Sequence, residues 1–205
     1  MSLRARILLL VLLASLLPVI VMIHLLFNIH DTTVLQERER LVARVEDIAD
    51  ELDDKIAGTA QLLFGLSRVP VVAGDDRTAC SNFLADVLKE HPQYTGILTI
   101  KPDGSLHCDS LRSGRRLDLN DRKYFQLAKL ANGPVIEPVV GRLSGKGVLQ
   151  IAYPVRDAKG QLLFVMLASL DMEIFGRNVA DALPFPGMNF QVWNNDGSII
   201  LDSPG

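Results

Sequence analysis

The side chains best suited to chemistry in this chain are basic groups and sulfur. Arg112, Arg115, Arg116, Arg122 and Lys123 crowd into one short stretch of an otherwise acidic region. Clustered cations favour an anionic ligand, and a guanidinium holds a carboxylate through two parallel hydrogen bonds. The plainer alternatives are solvated loop charges, or a structural bridge from Arg122 to Asp118, Asp121 or Asp171. Further on, Arg142 and Lys146 stand among Gly141, Gly145 and Gly147, a flexible loop that either lids a pocket or merely joins two strands.

Cys80 and Cys108 are the two cysteines. Outside the cytoplasm an even pair is a disulfide candidate, worth about 3–4 kcal/mol on the chain-entropy model. Two separate buried thiols are the alternative. His107 next to Cys108 suggests an imidazole–thiol pair, but strand neighbours point to opposite faces. The chain contains no HExxH, CxxC, Walker or GxSxG sequence. No catalytic residue, metal site or cofactor is therefore expected, and this segment is not expected to be an enzyme.

These residues need a compartment and a scaffold. Ile7 to Phe27 is an uninterrupted apolar run preceded by Arg4 and Arg6. Its length, about 30 Å as a helix, matches the hydrocarbon core of a bilayer. The arginines favour a cytoplasmic N-terminus, with everything from Asn28 onward outside the cell membrane. A cleaved signal peptide is the rival reading; the long run and the absence of a small-x-small site after it favour an uncleaved anchor. Setting Arg4 and Arg6 aside leaves 19 basic and 24 acidic residues, a formal charge of −5. That balance disfavours nucleic acid as a partner.

From Asp31 to about Arg68 the pattern is one long helix. Leu41, Val45, Ile48, Leu52, Ile56, Thr59, Leu63 and Leu66 form an apolar stripe opposite a face of mixed charge. The stripe suits packing on its own domain, on the same helix of a second subunit, or on both, and a homodimer is expected. A second helix spans about Thr78 to Glu90. Strands follow at Tyr94–Ile100 and Ser105–Asp109 around an Asp103-Gly104 turn, then a helical segment from Asp118 to Ala131. Strands at about Val135–Gly141, Val148–Val155 and Leu162–Leu170 and a helix at Met172–Ala182 complete an α+β layer with an antiparallel sheet. Residues 192–203 echo residues 99–110 at a constant offset of 93, sharing the pattern DGS, an apolar residue, two more, then DS. Chance is the alternative; if real, the echo opens a second copy of the same module. The expected domains are 1–29 (membrane helix), 30–69 (signalling helix), 70–184 (first module) and 185–205 (start of a second).

The membrane-emergent helix and the strand–DG–strand hairpin resemble the extracytoplasmic double Cache, or PAS-like, sensor domains of bacterial receptors. So do Asp121-Arg122-Lys123-Tyr124-Phe125, Ala152-Tyr153-Pro154-Val155-Arg156 and the strand ending Ala168-Ser169-Leu170-Asp171. The resemblance implies a ligand pocket between the sheet and the segment carrying Tyr124. It implies Arg122 for a ligand carboxylate, Asp171 for a ligand amine, and Tyr124, Phe125 and Tyr153 as further pocket residues. Tyr124-Phe125 replaces the Trp-Tyr of the amino-acid-binding members, and Glu137-Pro138-Val139-Val140 lacks their Tyr and Asp. Amino acid, organic acid, another small ligand or none therefore stay open. The implied function is the sensing half of a transmembrane receptor whose output, a histidine kinase or diguanylate cyclase, lies elsewhere. The alternative is a membrane-tethered envelope domain that binds a protein partner.

Overall fold

In the computed structural model the backbone of residues 3–182, 190–193, 197 and 199–203 is described, with most side chains of 14–24 and 40–177. The chain divides into Met1–Asp50 and Glu51–Gly205. The first unit belongs to helix α1 (Leu3–Ser67), which carries Pro18. Leu16, Leu17 and the consecutive residues Val19 to Ile23 are all exposed there, so apolar side chains cover the whole helix circumference. Among the described residues no helix is long and apolar enough to cross a membrane; the side chains of 7–13 and 25–27 lie outside them. The side chains of Leu41 and Val45, central to the dimer expectation, also lie outside the described residues.

In the second unit a five-stranded antiparallel sheet has the order β2-β1-β5-β4-β3. Its strands are β1 (Tyr94–Ile100), β2 (Leu106–Asp109), β3 (Val135–Val140), β4 (Gly147–Arg156) and β5 (Leu162–Asp171). The three central strands β1, β4 and β5 are buried almost continuously, and successive side chains point to opposite faces, so the sheet has two covered faces. One face meets the end of α1 and helix α3 (Arg77–Glu90), where Leu63, Cys80, Leu84, Ile97, Ile151 and Met166 are buried. Thr59 lies in this layer too: its hydroxyl donates to Lys55 O and accepts from the Tyr94 hydroxyl at 2.7 Å. The other face packs Leu98, Ile100, Ala152, Val165 and Leu167 on Tyr124, Phe125 and Ala128 of helix α4 (Lys123–Leu130). Full burial of each such leucine or phenylalanine contributes about 1.5–3 kcal/mol. Helix α2 (Pro70–Ala73) and helix α5 (Met172–Ala182) flank this core.

Local chemistry sets the boundaries. The Asp76 carboxylate accepts from the amides of Thr78 and Ala79 and starts α3. Pro138 sits in β3, an edge strand, where a missing N–H is tolerated. Pro154 lies in β4 beyond Ala152, the last residue that β3 pairs. The expected helix from Asp118 to Ala131 is shorter, Lys123–Leu130, because Asp118 is held extended in a β-bridge with Ser105 and the segment after it is tied to the hairpin turn. Leu119 N donates to Gly104 O at 2.8 Å and Asn120 N to the Asp118 carboxylate. The helix can wind only once those groups are passed.

Strands β6 (Phe190–Trp193) and β7 (Ile199–Ser203) form a separate antiparallel pair. The echo is geometric as well as sequential. Thr99 opposes Cys108 and Ile100 opposes Leu106 across an irregularity; 93 residues on, Val192 opposes Leu201 and Trp193 opposes Ile199 across the same irregularity. Gly104 and Gly197, the matching turn glycines, have φ of 89° and 81°, a left-handed conformation that glycine adopts without steric cost.

Candidate ligand-binding site

A cleft opens on the α4 face of the sheet, between its strands and the segment running from Asp109 to Tyr124. Gly96, Leu98, Gln150, Leu167 and Ser169 form its floor, and Asp109, Ser110, Leu111, Leu119 and Tyr124 its wall. Its roof is Gly141, Arg142, Leu143 and Ser144, from the loop between β3 and β4. Counted to its mouth, the cleft holds about 420 Å³ of unfilled space, but only about 20 Å³ is wide enough for the centre of a water molecule. That is room for about one water. As it stands the cleft is too narrow for a metabolite-sized ligand.

The roof loop is tightly folded: Gly141 N donates to Lys146 O and Gly145 N to Gly141 O, each at 2.8 Å. Two ion pairs strap it down. At one end the Arg142 guanidinium meets the Asp121 carboxylate in two parallel contacts of 3.0 and 2.7 Å and also donates to Asp118 O. This pairing holds the Asp121 carboxyl below the usual carboxylate range and raises Arg142. At the other end Lys146 Nζ lies 3.1 Å from the Asp171 carboxylate, and this hydrogen bond raises the Lys146 pKa. The loop that the sequence left as either a lid or a connector joins β3 to β4, and Gly141, Arg142, Leu143 and Ser144 within it line the cleft.

Inside, polar groups converge. The Ser169 hydroxyl donates to Gln150 Oε1 at 2.8 Å, which leaves the Gln150 amide N–H groups for another partner. The Asp109 carboxylate accepts from the Ser113 amide and hydroxyl, both at 3.0 Å. Tyr124 is only 2% exposed; burial pushes its phenol up to about 12, so it is a proton donor at neutral pH. Its amide donates to Glu137 Oε2. The site combines hydrogen-bond donors, one guanidinium and one carboxylate with the apolar side chains of Leu98 and Leu167.

Of the residues singled out from sequence, Tyr124 lines this cleft. Arg122 does not: it precedes α4, Nη2 donates to Val140 O at 3.3 Å, and the buried Nε has no partner among the described residues. Phe125 is fully buried in the same core cluster as Tyr124 but does not line the cleft, and Lys129 Nζ lies 5.2 Å from its ring centre. Tyr153 points to the opposite face of the sheet, since Gln150 and Ala152 take the cleft side of β4. Its ring meets Phe64 of α1 edge-on at 6.1 Å. Asp171 is committed to the Lys146 pair and to the amides of Glu173 and Ile174, which it caps at the start of α5. Asp109, Gln150 and Ser169 escaped the sequence reading; alternation along β4 and β5 would have put Gln150 and Ser169 on one face, but not said which face was hollow.

Cys80 and Cys108 are joined, with Cα atoms 5.9 Å apart, tying the start of α3 to β2. The basic cluster is divided. Arg112, which pairs loosely with Asp86 at 3.9 Å, lies with Arg77 along an open groove beside α3. Arg122 stands on the α4 side.

No protein-family model matches the chain. A curated relative, sporulation kinase D of Bacillus subtilis (strain 168), is 24% identical over 123 residues, 60% of this chain and 24% of its own length. The chain thus spans about a quarter of that relative. Among solved structures, the sensor domain of the V. cholerae histidine kinase DctB superposes with a TM-score of 0.65 at 15% identity, over 83% of this chain and 67% of that one. The ligand-binding domain of the Campylobacter jejuni chemoreceptor Tlp3, in complex with L-valine, gives 0.57 at 13% identity over 76% and 65%. That of the Pseudomonas fluorescens chemoreceptor CtaA, in complex with L-serine, gives 0.57 at 19% over 76% and 67%. The fold is that of extracytoplasmic Cache-type sensor domains.

Proposed function

We propose that this chain is the ligand-sensing input region of a transmembrane signalling receptor. The carrying observation is the roofed, polar-lined cleft, set between the sheet and the Tyr124 segment within a sensor-domain fold. Several solved proteins of this fold are described as bound to amino acids, and DctB is a histidine kinase sensor. The ligand is a small molecule bearing a carboxylate. Arg142 supplies the charge-assisted contact, Tyr124 and Gln150 supply neutral donors, and Asp109 accepts from a ligand donor. Arg122 adds a second positive charge behind Tyr124.

Ile7–Phe27 anchors the chain in the cell membrane, with the sheet unit facing the periplasm or exterior. The exposed apolar surface around Leu16–Ile23 supports that reading. The repeat of sequence, register and turn glycine at offset 93 supports a second module opening at residues 185–205. The stripe of α1 pairs with that of a second copy. A ligand then shifts the receptor only through its different affinities for the roof-open and roof-closed states. A kinase or cyclase output stands beyond this segment.

The test is a thermal-shift screen of the purified chain against carboxylates and amino acids, repeated with Arg142→Ala. A stabilising ligand whose effect disappears in that variant supports the proposal. A ligand that binds both equally removes the cleft from it.

A further inference from the structure

The sulfurs of Cys80 and Cys108 and a ring nitrogen of His107 all lie within 4.8 Å of one another. Both cysteines are completely buried, and His107 is half-buried on the same edge strand. The expectation that His107 and Cys108 diverge as strand neighbours fails here, because the His107 ring turns back toward the α2–α3 connection. There its Nε2 donates to Gly74 O at 3.1 Å. A carbonyl only accepts, so Nε2 carries the proton and Nδ1 keeps its lone pair. A backbone carbonyl fixing the tautomer is the usual support of a metal-binding histidine. On the other side the Thr99 hydroxyl lies 3.1 Å from Cys108 Sγ, within reach to stabilise a thiolate.

We propose that, once the disulfide is reduced, Cys80, Cys108 and His107 form a zinc site. Reduction by a dithiol takes two electrons and two protons and yields two thiols, while the donor becomes its own disulfide. Zn²⁺ then displaces both thiol protons, and two thiolates, one imidazole and a water complete four-coordination. Two thiolates balance the dication, so the buried complex is neutral; Cu(I) would leave a net negative charge there. In a tetrahedral site the sulfurs separate to about 3.8 Å, given Zn–S distances of about 2.3 Å. The disulfide and zinc forms are thus exclusive, and each changes the spacing of α3 from β2. Asp109, Ser110 and Leu111, the wall of the cleft, follow Cys108 directly. This inference stands apart from the identity of any cleft ligand.

The test uses the full 205-residue chain, reduced anaerobically, freed of reductant and titrated with Zn²⁺ against a chromophoric chelator. Expected are one zinc per reduced chain, none on the oxidised chain, and at least tenfold weaker binding by reduced His107→Ala. Co²⁺ should give a thiolate charge-transfer band that Cys80→Ser loses. Unfolding of oxidised His107→Ala, whose disulfide is intact, controls for folding. No zinc on the reduced chain, equal binding by oxidised and reduced chains, or equal binding by His107→Ala and the parent would each overturn the site. Tighter binding of Cu(I) than Zn²⁺ would overturn the choice of metal.

Discussion

Replacing Gly104 with alanine isolates how the hairpin turn builds the cleft wall. Gly104 has φ of +89°, and an added Cβ would lie 2.5 Å from Asn120 Cβ, 2.8 Å from its Cα and 2.9 Å from its N. These neighbours are the peptide chain itself and cannot swing aside. Gly160, in the hairpin between β4 and β5, is the matched control: φ is +80° and no atom stands within 4 Å of the added carbon. Left-handed strain alone costs each alanine about 1–2 kcal/mol. At Gly104 the displaced backbone adds an overpacking cost of about 1–3 kcal/mol. The expected losses are thus about 1–2 kcal/mol for Gly160→Ala and about 2–5 kcal/mol for Gly104→Ala. Pulse proteolysis of the full chain across a urea series reads the stability of the sheet unit without the signal of the long helix. Because Leu119 N donates to Gly104 O, the larger loss should come with faster amide exchange from Leu119 to Tyr124. Equal destabilisation by the two variants would refute this account of the turn.

Other consequences can be measured directly. Spectrophotometric titration should resolve one tyrosine near pH 12, absent in Tyr124→Phe. Burial favours its neutral form, so its contribution to stability is intact below the ordinary value of 10 and is lost as pH rises through about 12. The Asp121 carboxyl should titrate below 3.8 by NMR and return toward that value in Arg142→Ala. The pairing is present above the ordinary carboxylate pKa and is lost as pH falls through the lowered value. Removing the disulfide through Cys80→Ser with Cys108→Ser should cost about 3–4 kcal/mol, from the entropy of a 28-residue separation, in the same proteolysis assay.

Local signals carried much of the fold. The Asp103-Gly104 turn, the period-two strands and the cap before α3 depend on a few adjacent residues, and their positions follow from the sequence. The echo at offset 93 was visible as letters before it was visible as a shared register. The cleft was harder because its cation is chosen by distant partners. Arg122 and Arg142 are equivalent guanidiniums in sequence, and only the fold brings Arg142 over the cleft and onto Asp121. Asp171 carried a legible cap signal, lying immediately before α5, and that duty together with Lys146 accounts for its carboxylate. Tyr153 sits in a strand with two buried faces, where alternation separates the faces without telling which one holds a ligand.

The claim that most needs testing is that a small carboxylate ligand binds beneath the Arg142 loop. Isothermal titration of the strongest stabilising carboxylate into the full chain, beside Arg142→Ala and Tyr153→Ala, tests it most directly. One ligand per chain is expected, with at least tenfold weaker binding in Arg142→Ala and unchanged affinity in Tyr153→Ala on the opposite face. Undiminished binding in Arg142→Ala, or loss confined to Tyr153→Ala, would contradict it.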